Sequence, residues 1–171
     1  MALSLFAALD DSARRFVPLV STLILLIVSF MQLPLPYAGS LMPPLALMGT
    51  FYWSVYRPDR FGILAAFAIG LMQDLLMGSP LGITAFLYAA LQQLLARRQH
   101  IFKGGRFALL WIGYIAAQVM VSAAQWLCWS WLAHRLYPVT PFALQLVLAL
   151  CLFPPIGWGL SRLHTAFLHN R

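Results

Sequence analysis

The chain has 171 residues, 62% of them hydrophobic and 9% charged, with a formal net charge of +7. A soluble domain usually carries about 25% charged residues to cover its surface, so a water-soluble globule is excluded. The basic residues sit in short gaps between apolar runs and form no single patch, which argues against nucleic acid and for a membrane protein oriented by them. One composition runs throughout, and the reading is a single polytopic, all-α integral membrane domain over residues 1–171.

Residues 1–15, MALSLFAALDDSARR, precede the first long apolar run. Asp10 and Asp11 each stand four residues before an arginine, Arg14 and Arg15, a spacing that favours a helix. With Leu3, Phe6 and Leu9 interspersed, the segment reads as a short interfacial helix, with solvated disorder as the other reading. No small-residue cleavage site closes the run that follows, so it is not expected to be a removable signal peptide.

Apolar runs bounded by charges, Pro or Gly predict six spans, at 16–35, 41–57, 61–77, 80–97, 107–133 and 141–161. Span two opens at Pro43-Pro44. Span three holds the one acid of the membrane, Asp74, roughly 20 Å into the helix at 1.5 Å per residue. An ionised Asp at mid-membrane costs about 2.5–3.5 kcal/mol on insertion scales, so it should face protein or trapped water. Gly62, Ala66, Gly70, Asp74 and Gly78 recur every four residues, a stripe of small side chains along which another helix can approach.

The turn after span three reads as helix punctuation. Gly78 suits the left-handed residue that ends a helix. Ser79 suits the N-cap of span four and Pro80 its first helical position, with Gly82 just beyond. Spans three and four then form a tight hairpin, with Asp74 facing the positive N-terminus of span four. Three roles stay open for it: locking that hairpin, meeting a partner's membrane helix, or handling a ligand or proton.

Arg97, Arg98, Lys103 and Arg106 make the densest basic segment, which fits orientation, attraction to anionic lipid and, as a third reading, a docking face. Gln118, Ser122 and Gln125 share one face of span five and read as interhelical hydrogen bonders or a polar cavity wall. Pro154-Pro155 interrupts span six, where a kink is expected. Cys128 and Cys151 read as small packing residues. The histidines, His100, His134, His164 and His169, fall in predicted loops and the tail, with no metal-ligand spacing and no cofactor motif.

Assigning gaps alternately to two sides places Arg14, Arg15, Arg57, Arg60, Arg97, Arg98, Lys103, Arg106, Arg162 and Arg171 together, opposite Arg135. This asymmetry predicts both termini in the cytoplasm. Trp53, Trp111 and Trp158 fall at predicted cytoplasmic ends, and Trp126, Trp129 and Trp131 at the outer end of span five, the depths an indole prefers.

The run Tyr52-Trp53, Pro58, then Gly70-x-x-x-Asp74-x-x-x-Gly78-Ser79-x-Leu81-Gly82 resembles the rod shape-determining MreD family. The resemblance implies a non-enzymatic inner-membrane subunit of the bacterial elongation machinery, acting in cell shape and peptidoglycan synthesis. It implies work with the bitopic periplasmic protein MreC, in a complex that connects MreB filaments to a RodA-type glycosyltransferase and its transpeptidase. It also implies a fold similar to the substrate-binding subunits of energy-coupling-factor transporters. Some relatives carry acids on span five; here Gln118, Ser122 and Gln125 stand instead, which puts an acid-dependent role of that span in doubt.

No catalytic set is legible: Ser79 has no His within any span, and Asp74 is alone in the membrane, whereas hydrolysis or metal-assisted transfer needs several groups at one depth. The alternative function is a substrate-binding subunit of a vitamin-type transporter, with a pocket using Asp74, Thr84, Gln118 and Gln125. A closed, polar, ligand-sized cavity is its discriminating feature. The favoured reading is a scaffold that binds its partners through helix contacts, and whether it also pairs with a second copy stays open.

Overall fold

The computed structural model describes residues 2–30, 33–35, 39–41, 43–102, 107–134, 136 and 138–168. Six helices account for most of them. The first, α1, runs unbroken over Ala2–Ser29, so the N-terminal segment and span one are a single helix. Pro18 lies inside it, and its carbonyl accepts the Ser21 and Thr22 hydroxyls at 3.0 and 2.7 Å.

A short two-stranded ribbon separates the first two helices. Strands β1 (Leu33–Leu35) and β2 (Gly39–Leu41) pair antiparallel, with Pro34 opposite Ser40. Proline has no N–H for a helix and is tolerated at the edge of a two-stranded ribbon. Span one therefore stops at Ser29 rather than 35, and span two begins late.

That second helix, α2, covers only Leu45–Tyr56, 12 residues. At 1.5 Å per residue it is about 18 Å long, against a hydrocarbon core of about 30 Å. It ends at Tyr56, because Arg57 precedes Pro58 and takes a non-helical conformation as its cap. Every residue from Leu45 to Val55 is buried, because the helix is apolar all round and packs against α1, α4, α5 and α6.

The remaining helices are α3 (Ile63–Met77), α4 (Ile83–Phe102), α5 (Phe107–Leu132) and α6 (Thr140–Leu168). Ala108–Leu132 and Thr140–Leu163 are long and apolar enough to cross a membrane, while Phe16–Ser29 and Ile63–Met77 are shorter apolar helices. Pro154 and Pro155 lie within an α6 that continues through them. His100 and His164 also lie in helices, not in loops.

The core centres on Phe51, whose ring meets Phe102, Tyr114 and Phe153 edge-on at 6.1, 5.6 and 6.1 Å between centroids. Tyr114 and Phe153 stack at 4.2 Å. One ring thus joins α2 to three other helices, through contacts each worth roughly 0.5–1.5 kcal/mol beyond burial.

Three residue assignments change. Trp53, expected at an interface, is fully buried, and its Nε1–H donates to Ser21 Oγ on α1 at 2.9 Å. Trp111, Trp131 and Trp158 are exposed. Cys128 and Cys151, expected to pack inside, are both exposed. So are large apolar side chains such as Leu64, Phe86 and Leu127, a surface that water disfavours and lipid accepts.

Candidate functional site

Asp74 lies one turn from the end of α3 with no exposed surface. Its Oδ1 accepts the Ser79 hydroxyl at 3.0 Å. Its Oδ2 accepts three backbone N–H groups, from Gly82 at 2.9 Å, Thr84 at 3.1 Å and Ala85 at 3.4 Å. The first N–H groups of a helix have no partner within it, and α4 begins at Ile83. The side chain of one helix therefore caps the next, placing its acceptor oxygens at the positive end of the helix dipole.

This arrangement corrects two local assignments. Ser79 is not the N-cap of α4 and Pro80 is not its first residue; both lie in the connecting turn. Asp74 fills the capping place, and Ser79 supports the carboxylate. The turn closes because Gly78 and Gly82 take φ of 63° and 101°, values that side chains other than glycine adopt at a cost. Gly78 N–H and Ser79 N–H both donate to the Asp74 carbonyl, so one residue ends α3 with its backbone and starts α4 with its side chain.

The small-residue stripe divides. A Cβ on Gly70 would fall 2.6 Å from Ala85 Cα and 2.7 Å from the Thr84 carbonyl oxygen. Gly70 is thus where α3 touches the start of α4, and Ala66 beside it is fully buried. Gly62 and Gly78 sit outside the helix, and a Cβ on either would meet nothing within 4 Å. The close approach to α4 lies at Gly70 and Asp74, and the surface facing them belongs to the same chain.

Polar groups that the sequence reading passed over complete the hairpin. Tyr88 donates to Gln73 Oε1 at 2.8 Å, and Gln92 Nε2 donates to the Phe61 carbonyl at 3.0 Å. Glutamines inside apolar runs were the available signal, since a buried amide needs a partner. Phe67 and Phe86 meet edge-on at 5.5 Å on the outer side.

On α5, Gln118 accepts the Tyr114 hydroxyl and donates to Ser122, both at 3.1 Å and both within the helix. Gln125 alone reaches across, donating to Thr84 Oγ1 on α4 at 3.1 Å. The four groups named for a transporter pocket, Asp74, Thr84, Gln118 and Gln125, are therefore bonded to protein. A groove of about 510 Å³ between α1 and α6 is apolar except at the Ser21 hydroxyl. Among the described residues no three His, Cys, Asp or Glu side chains converge as metal ligands would.

Of the basic residues, Arg97 and Arg98 are exposed near the end of α4. Lys103 and Arg106 lie outside the described residues.

No curated protein and no solved structure matches the chain. The family model described as rod shape-determining protein MreD matches residues 11–160; the chain belongs to that family of membrane proteins, which determine rod shape.

Proposed function

We propose that the chain is a non-enzymatic scaffold of the bacterial elongation machinery, tying an MreC-like bitopic protein to the peptidoglycan-synthesising enzymes in the inner membrane. The observation that carries this reading is the state of Asp74. The one acid in the apolar core is closed off by Ser79 and three backbone N–H groups. A group held this way stabilises a shape; it does not present a reactive oxygen to a substrate.

In this proposal the chain crosses the membrane six times with both termini in the cytoplasm, which keeps all basic residues but Arg135 on one side. The short helix α2 is carried inside the bundle by its neighbours. The partner's single membrane helix lies in the α1–α6 groove, which is lined by Phe16, Ile24, Ile156 and Leu163 together with the small residues Ser21 and Gly159. Small residues between larger apolar ones suit close helix approach. RodA-type glycosyltransferase and transpeptidase contacts follow through that partner or directly, and MreB-like filaments are reached indirectly.

The experiment is a mild-detergent pull-down from rod-shaped cells combined with depletion of the chain. Rounding on depletion, rescue by the intact chain, and recovery of an MreC-like protein that falls with Gly159→Trp support the proposal. Rod shape without the chain would sink the function; recovery unchanged by Gly159→Trp would sink the groove as the docking place.

A further inference from the structure

A second groove, about 310 Å³, lies between α4 and α5. Among the described residues, Leu94, Ile101, Gly113, Ala116 and Met120 line it together with one charged side chain, Arg98. Gly113 and Ala116 give α5 little bulk on this side. Leu94, Ile101 and Met120 are each almost half exposed, so the groove opens sideways, toward what would be lipid. Its apolar length runs along α4 to the end where Arg97 and Arg98 stand. Lys103 and Arg106 follow in sequence just beyond, and residues 91–120 contain no Asp or Glu.

An apolar slot with a basic mouth matches one kind of occupant. Acyl chains need a hydrocarbon wall without unpaired polar groups, and a phosphate diester needs cationic donors at the depth of the headgroup. Basic pockets between membrane helices on the cytoplasmic side take anionic headgroups. We infer that the α4–α5 groove binds one anionic phospholipid of the cytoplasmic leaflet, with an acyl chain along Leu94, Ala116 and Met120 and its phosphate at Arg98. The α1–α6 groove differs in this respect, because among the described residues none that lines it is charged. The inference rests on the orientation proposed above, in which residues 97–106 face the cytoplasm.

The test uses the full chain in mild detergent, with retained lipid read by native mass spectrometry. Phosphatidylglycerol and phosphatidylcholine of identical acyl chains are compared, with glycerol phosphate as the soluble headgroup. Phosphatidylglycerol is expected to be retained preferentially and glycerol phosphate not to displace it. Arg98→Gln should weaken the preference about fivefold, the equivalent of ~1 kcal/mol for one basic residue near a membrane surface. Ala116→Trp should reduce retention of both lipids, because it fills the slot without changing charge. Arg162→Gln, the same charge change beside Trp158, should have no effect.

Equal retention of the two lipids would overturn the inference, as would an equal loss with Arg98→Gln and Arg162→Gln, which would mean diffuse attraction only. Displacement by glycerol phosphate would assign the site to a soluble phosphate and overturn it also. A protein partner that competes with lipid for the groove in the pull-down, with no lipid retained by the purified chain, would do the same. The readout needs no partner and no cell-shape assay, so its failure is distinguishable from failure of the scaffold reading, and labelling of an introduced cysteine near residue 103 reads the orientation separately.

Discussion

Asp74 Oδ2 accepts the Gly82 N–H at 2.9 Å, so the end of α3 and the start of α4 are fixed to each other by a single side chain. Thr84 and Ala85 add their N–H groups to the same oxygen. The distinction between an acid that caps and an acid that reacts is open to direct measurement.

Asp74→Ala leaves three N–H groups and the Ser79 hydroxyl without their acceptor in a buried turn. Loss of a cap costs about 0.5–2 kcal/mol, and hydrogen bonds to a charged group about 1.5–3 kcal/mol. Destabilisation of roughly 2–4 kcal/mol is expected on that basis. Asp74→Asn keeps a carbonyl oxygen for α4, while its amide can donate to Ser79 Oγ, so a loss of about 1 kcal/mol is expected. Thermal unfolding in detergent, followed by circular dichroism, orders the three proteins. If Asp74→Asn rounded the cells while melting like the wild type, a role in proton or ligand handling would replace the structural one.

Gly70→Ala and Gly62→Ala separate close approach from mere periodicity. The first places a methyl group against backbone atoms of Thr84 and Ala85, where overpacking typically costs about 1–3 kcal/mol. The second meets open space and should change the melting temperature little. Equal effects would mean that the four-residue repeat, and not the contact with α4, is what matters.

Tyr88 and Gln73 form a buried pair suited to a double-mutant cycle. Tyr88→Phe and Gln73→Leu should each destabilise by about 1–3 kcal/mol, because each strands a buried partner. The double substitution should be less harmful than the sum. Strict additivity in the unfolding free energies would deny that the hydroxyl–amide bond couples α3 to α4.

Cys151 offers a check on the six-span arrangement. It is exposed on the surface of α6, within the Thr140–Leu163 stretch. In intact membranes it is expected to resist a membrane-impermeant maleimide and to react once the protein is in denaturing detergent. Rapid labelling of sealed cells would place it in water and contradict the span.

The α3–α4 hairpin was largely legible because its cues are local. An acid in an apolar run must find donors, and Gly-Ser-Pro a turn later announces where donors will be. What sequence could not settle was which side chain would cap α4. Ser79 had the right identity, but Asp74 reaches the N–H groups of Gly82, Thr84 and Ala85 from the neighbouring helix, and the positive φ of Gly82 delays the helix to Ile83.

The end of span one at Leu33–Leu35 and the start of span two at Leu41 were misread for a different reason. Hydropathy measures apolar content, and LPLPYAGSL scores as membrane whether it is a helix or a paired ribbon. Only Pro34 and Pro36 hinted otherwise. Trp53 was misjudged in the same way, since the preference of indole for interfaces is a statistical one. A hydroxyl on a neighbouring helix, Ser21, satisfies its N–H as well as water does.

The brevity of α2 and the burial of Leu45–Val55 bear on how the protein is made. A segment of 12 residues is too short to stay in a bilayer unaided during synthesis, however apolar it is. Its retention has to await α4, α5 and α6, which supply the walls around it. Biogenesis would then proceed by late capture of an early segment, and nascent chains arrested before α4 emerges should leave α2 open to protease or to the insertion machinery.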